Sequence, residues 1–124
     1  MITLDYKVFP SEEKTIEVEA NPIHGDTTCY SVKYCVGLAD GNTKYIDEKI
    51  VIPFVFKIEG DLTSGGVQSE QLAYILLDRC VKLNKRFPSD HNAKMIAGLD
   101  IFLDACKERV EERVTRGVMG ELKK

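Results

Sequence analysis

No two of the four cysteines form a C-x-x-C pair, and the two histidines, His24 and His91, lie far apart in the chain. The short-spaced paired ligands of a zinc site are therefore missing. Cys29, Cys35, Cys80 and Cys106 sit instead inside apolar patterns, as small buried hydrophobes do in a reducing compartment, so a cytoplasmic location is expected. No apolar run approaches the roughly 20 residues of a membrane span. The first nine residues carry Asp5 and Lys7 where a signal peptide would be apolar, so none is expected. A basic surplus is also lacking: 17 Lys and Arg stand against 20 Asp and Glu, a net charge of −3, which argues against non-specific DNA binding. Total charge leaves open a small anionic ligand, because local charge sets a pocket. There is no G-x-S-x-G elbow, no Cys convincingly matched to a His, and no Lys-Ser/Thr after Gly65-Gly66 to make a phosphate loop. The pattern makes no positive case for an enzyme and calls for no cofactor.

What is present changes its period midway. Ile2, Leu4, Tyr6 and Val8 alternate on one face until Pro10, and residues 15–19 form a second short alternating piece around Ile16 and Val18. Turn signals follow at Asn21-Pro22 and His24-Gly25-Asp26. Tyr30, Val32, Tyr34 and Val36 alternate against Cys29, Ser31, Lys33 and Cys35, a strong strand signal. Asp40-Gly41-Asn42 predicts a hairpin turn leading into residues 43–46. Residues 50–58 are almost continuously apolar and predict a central or doubly covered strand, qualified by Pro53, which suits an edge or bulge.

Residues 60–66, GDLTSGG, break the pattern, and a helical period begins near a cap at Ser69 or a neighbour. Leu72, Leu76, Cys80, Leu83 and Phe87 are expected to line one face, with Ala73 and Leu77 beside them and Arg79, Lys82, Lys85 and Arg86 opposite. The predicted architecture is α+β, an N-terminal antiparallel sheet followed by a C-terminal helical hairpin with a long second helix. One domain is expected over residues 1–124, with a sheet half at 1–59 and a helical half at 67–120, each too small to stand alone.

The second helix is the most informative stretch. Pro88 ends what precedes it, Ser89 is a good N-cap, and Gly117 supplies the stop after Arg116. Ile96, Leu99, Leu103, Cys106 and Val110 alternate spacings of three and four, and one further turn each way reaches Asn92 and Arg113. From Asp90 to Arg116 the helix spans ~40 Å at about 1.5 Å per residue. A domain of this length is ~28 Å across. Packing against another copy is the simpler answer to that excess, so self-association is expected.

Arg109, Arg113 and Arg116 share a helix face, where guanidinium forks suit phosphate oxygens. A surface lattice of ion pairs with Asp104, Glu108, Glu111 and Glu112 is the competing reading. Arg113 fits that lattice least well, since it continues the apolar seam. Asn92 either caps the helix or offers an amide that donates and accepts at once, as a purine edge or ribose hydroxyl requires. Phe87 either anchors a core or stacks on a base at the helix junction. Asp100 and Asp104, four apart on a charged helix, read as a hydrated face.

The order R-F-P-S-x-x-N-A (residues 86–93), L-x-x-x-L-x-x-C (99–106) and R-V-x-x-R-V-x-R-G-V-x-G (109–120) resembles phage sponge proteins. These small viral proteins sequester immune nucleotide signals. The similarity is to the first-described family of anti-Thoeris sponges, which likewise join a sheet to a helical hairpin; anti-CBASS sponges share the helical part. The resemblance implies binding without turnover. Its expected ligand is a cyclic ADP-ribose isomer such as 1''-3' glycocyclic ADP-ribose, with a cyclic oligonucleotide as a second candidate. It implies a homo-oligomer, a dimer or a hexamer, with pockets between protomers, acting in the cytoplasm of an infected bacterial host. Transferred residue by residue, Asn92 would hydrogen-bond the nucleotide, Arg109 and Arg113 would clamp its phosphates, and Phe87 would border or stack on the base. The alternative is a structural or protein-binding phage module with no nucleotide ligand.

Overall fold

The computed structural model describes residues 2–4, 15–19, 28–39, 42–60 and 62–117. The expected strand residues 5–8, the turns at 21–26 and Asp40-Gly41, and residues 118–120 of the third motif lie outside them. In chain order the elements are β1 (Ile2–Leu4), β2 (Ile16–Val18), β3 (Cys29–Ala39), β4 (Asn42–Pro53), β5 (Phe56–Glu59), β6 (Leu62–Ser64), α1 (Ser69–Arg86) and α2 (Asp90–Arg116). The fold is α+β: an antiparallel four-stranded sheet ordered β1-β2-β3-β4, a small β5–β6 sheet, then two helices, the second long. Two compact units are distinguished, Met1–Phe56 with Thr63–Gly66, and Lys57–Leu62 with Val67–Lys124.

In the sheet unit, register sets the two faces. Ile16 pairs with Val32 and Val32 with Ile50, while Val18 pairs with Tyr30 and Tyr30 with Ile52, so these apolar residues share one face. Val18 is 2% exposed at its centre, and Tyr30 meets Phe54 edge-on, with ring centroids 5.5 Å apart. On the other face the Lys49 ammonium donates to Glu17 at 2.5 Å, and this bond holds the Glu17 carboxyl below the usual carboxylate range. Burial pushes the Cys29 thiol up, the direction of an inert structural cysteine.

The apolar run at 50–58 does not form a central strand. β4 is the terminal strand of its sheet and runs from Asn42 to Pro53, joining the two expected strands into one; β5 starts afresh at Phe56. Ile50 and Val51 are accordingly exposed. Pro53 has no N–H to continue a ladder, which accounts for the stop there. The β3–β4 ladder is irregular beyond Lys33: between the Lys33–Lys49 and Cys35–Tyr45 pairs, one residue of β3 opposes three of β4, and the register shifts again between Cys35 and Gly37. Gly37, at φ 125°, lies in that distorted stretch and takes a conformation that costs a side chain dearly. Gly66 has a different reason to be glycine. A Cβ there would overlap the Pro53 carbonyl oxygen and lie 2.6 Å from the Phe54 carbonyl carbon.

In the helical unit, α1 and α2 pack as a hairpin. Gln68, the neighbour of Ser69, caps α1 through a reciprocal capping box with Gln71, within the expectation of a cap at Ser69 or a neighbour. Ser89 caps α2 through its hydroxyl, which accepts from the Asn92 N–H at 3.0 Å, and Gly117 ends the helix in the left-handed conformation at φ 71°. The half-buried positions of α2 are Asn92, Ile96, Leu99, Leu103, Cys106 and Arg113, the predicted seam with both polar ends; Val110 is more exposed. On α1 the buried arc keeps Leu72, Cys80 and Leu83 of the predicted stripe and is shifted by roughly 40° toward Ala73 and Leu77, the residues expected beside it. It follows Leu72, Ala73, Leu77, Cys80, Leu83 and Asn84, leaving Leu76 and Phe87 outside. Ala73, 5% exposed, is the only fully buried residue described on the two helices. A small residue at that point lets the helices approach. Tyr74, Ile75 and Leu76 on α1, and Met95, Ile101 and Phe102 on α2, remain uncovered.

Candidate functional site

Phe87 and Asn92 come together because the α1–α2 turn is tied by hydrogen bonds through both. The Phe87 N–H donates to the Leu83 carbonyl at 2.8 Å, closing the last turn of α1. The Asn92 side-chain Nδ2 donates back to the Phe87 carbonyl at 2.9 Å. Between them the Ser89 N–H donates to Asn84 Oδ1 at 3.2 Å. Pro88 favours extended backbone before it, which turns the chain sharply. The Phe87 ring points outward, 63% exposed, with the Arg86 guanidinium 5.2 Å from its centroid. One amide N–H of Asn92 thus serves the turn, and its second N–H and its oxygen are not used in that bond.

Arg109 and Arg113 lie toward the other end of α2. Arg113 is half-buried at the end of the seam, while Arg109 is exposed and has no ion-pair partner among the described residues. Arg116 pairs with Glu112 one turn back. The expected ion-pair lattice is thus realised at Arg116 and not at Arg109. Seventeen residues separate Asn92 from Arg109, ~26 Å along the helix axis, and Arg113 is ~32 Å away. The four candidate residues therefore fall into two groups toward opposite ends of α2, Phe87 with Asn92 and Arg109 with Arg113. Between them, Met95, Phe102 and Arg109 recur every seven residues, so an exposed apolar stripe runs into the arginine.

Sequence reasoning missed a groove within the helical unit. It has a volume of about 560 Å³ and an apolar floor of Tyr74, Leu103, Cys106 and Val110 between the start of α1 and the second half of α2. Glu70, Asp104 and Glu111 outnumber Lys107 on its rim, so it repels phosphate, and none of the four candidate residues lines it. Its signal was the 3.6-residue period of both helices, but which residues face each other depends on the hairpin's packing angle. Among the described residues, no three His, Cys, Asp or Glu side chains gather as metal ligands. No helix is long and apolar enough to cross a membrane. No family model matches the chain, and no curated protein matches it.

Proposed function

We propose that this protein is a phage anti-defence sponge that binds and sequesters a cyclic nucleotide immune signal without degrading it, blocking Thoeris-type immunity in the cytoplasm of the infected host. The proposed ligand is a cyclic ADP-ribose isomer, with cyclic oligonucleotides as a second candidate class. The observation that carries the reading is the placement of the candidate residues, Phe87 and Asn92 toward one end of α2 and Arg109 and Arg113 toward the other. An aromatic ring and an amide suit a base and ribose, guanidinium groups suit a pyrophosphate, and ~26 Å is too far for one small ligand to touch both ends of one chain. A two-fold axis near Phe102 and Leu103 that sets two α2 helices antiparallel brings Asn92 of one copy beside the partner's Arg113. Each dimer then has two complete, equivalent sites. The uncovered stripe of Met95 and Phe102 lies on the flank such pairing uses. Two copies surrounding the ligand also offset the cost of desolvating the arginines better than one.

Isothermal titration with 1''-3' glycocyclic ADP-ribose and with cyclic trinucleotides tests the proposal. Saturable binding is expected, with the ligand returned intact after the protein is denatured. Absence of binding to both classes sinks the reading, and conversion of the ligand over time makes the protein an enzyme instead. Arg109→Ala should weaken binding at least tenfold with the fold retained, the scale of one charge-assisted phosphate contact. A second reading, a protein-binding module, is favoured by the Arg116–Glu112 pair and the exposed apolar flank. On that reading removing arginines changes only the response to salt.

A further inference from the structure

Phe87 is an exposed ring on a rigid mount. Its N–H and carbonyl are both hydrogen-bonded within the turn, yet the side chain is 63% exposed. An aromatic left outside forgoes the stabilisation that burial would bring. One face of this ring is already taken: the Arg86 guanidinium carbon lies 5.2 Å from its centroid, within cation–π range. The opposite face is the area open to a second planar group.

We infer that Arg86 is a positioning residue for ring stacking, backing Phe87 so that its outward face takes one heteroaromatic base in an Arg86–Phe87–base stack. The inference rests on the nucleotide-binding reading and adds to it a residue that neither pattern nor resemblance assigned. Two physical effects favour it. A cation behind the ring draws on its negative quadrupole, leaving the outer face less repulsive to the electron-rich face of a purine. A ring held in one orientation before binding also loses less conformational freedom when the base arrives. Arg suits this position better than Lys, because a planar guanidinium can stack on an aromatic face and is more weakly hydrated.

Titration of full-length protein with glycocyclic ADP-ribose, followed by calorimetry and by loss of absorbance in the adenine band at saturation, tests it. Phe87→Leu should abolish the absorbance loss that stacking produces. Arg86→Gln should weaken binding about two- to fivefold and reduce that loss at saturation, with thermal unfolding unchanged. An unaltered absorbance signature in Arg86→Gln overturns the inference whatever the affinity does, since a charge acting only on phosphates leaves stacking intact. If the wild-type protein binds neither glycocyclic ADP-ribose nor cyclic trinucleotides, the underlying reading falls and the inference with it. Wild-type binding with stacking insensitive to Arg86 removes the inference alone.

Discussion

Asn92 holds the first turn of α2 from two directions. Its backbone N–H reaches Ser89 Oγ at 3.0 Å and its side-chain Nδ2 reaches the Phe87 carbonyl at 2.9 Å. A residue so engaged has a structural role before any ligand arrives. Asn92→Ala should therefore lower the stability of the ligand-free protein by about 1 kcal/mol, the net worth of an ordinary hydrogen bond. Ser89→Ala should cost about the same through the lost cap. Because both bonds fix one turn, the double variant should cost less than the sum. Urea unfolding followed by helical circular dichroism measures all three, and an unmoved midpoint in Asn92→Ala would show that the side-chain bond contributes nothing. Any binding loss in that variant has to be compared at a temperature where both proteins are fully folded. The arginines divide similarly. Spacing alone placed Arg109, Arg113 and Arg116 on one face; their surroundings separate a half-buried Arg113, an exposed Arg109 and an Arg116 paired to Glu112.

At the scale of elements, what could be read from the chain depended on how local the determining interactions are. α2 has the predicted ends, Asp90 and Arg116, because Ser89 and Gly117 act within a turn of themselves. The polar ends of its seam were legible too, since the 3.6-residue period fixes them without a partner. The burial of α1 was legible in part: the expected Leu72, Cys80 and Leu83, with Ala73 and Leu77 beside them, are covered, while Leu76 and Phe87 are exposed and Asn84 takes a half-buried place on the neighbouring arc. The contact with α2 decides between the two arcs. The edge position of β4 was hidden for a similar reason, as sheet order is set by pairings remote in sequence and a long apolar run suits several places. Only Pro53 marked the limit. The two glycines with opposite surroundings make the element-level test. At Gly98, within α2, an added Cβ meets nothing within 4 Å, so Gly98→Ala should stabilise the isolated chain by roughly 1 kcal/mol through helix propensity. Gly66→Ala drives a Cβ into the Pro53–Phe54 backbone and should cost about 1–3 kcal/mol, as overpacking does. Thermal unfolding distinguishes them by sign. A destabilised Gly98→Ala would place another surface against that stretch of helix.

At the scale of the whole molecule, the helical hairpin covers too little of itself to explain its own composition. Ala73 is the only fully buried residue described on the two helices, while Tyr74, Ile75, Ile101 and Phe102 stay outward. Two helices with apolar residues on more than one flank need a further surface. The proposed antiparallel α2 pairing would supply one and would at the same time join candidate residues that lie ~26 Å apart in a single chain. This geometry predicts complementation between two inactive variants. On the proposed pairing Asn92→Ala and Arg109→Ala, each alone, should damage every site of a homodimer, because each site would draw its amide from one copy and its guanidinium from the other. In a mixed dimer purified through two different tags, one site collects both substitutions and the other collects neither. About half of the wild-type sites should then bind glycocyclic ADP-ribose with undiminished affinity, as two-fold symmetry with shared sites requires. Calorimetric stoichiometry reads this directly. If Asn92 and Arg109 instead serve the same ligand from within one chain, every site in the mixed dimer carries one substitution, and no site of full affinity reappears. The outcome separates a shared pocket from two independent ones without any change to the fold, and it holds for a hexamer built from such pairs as for a dimer.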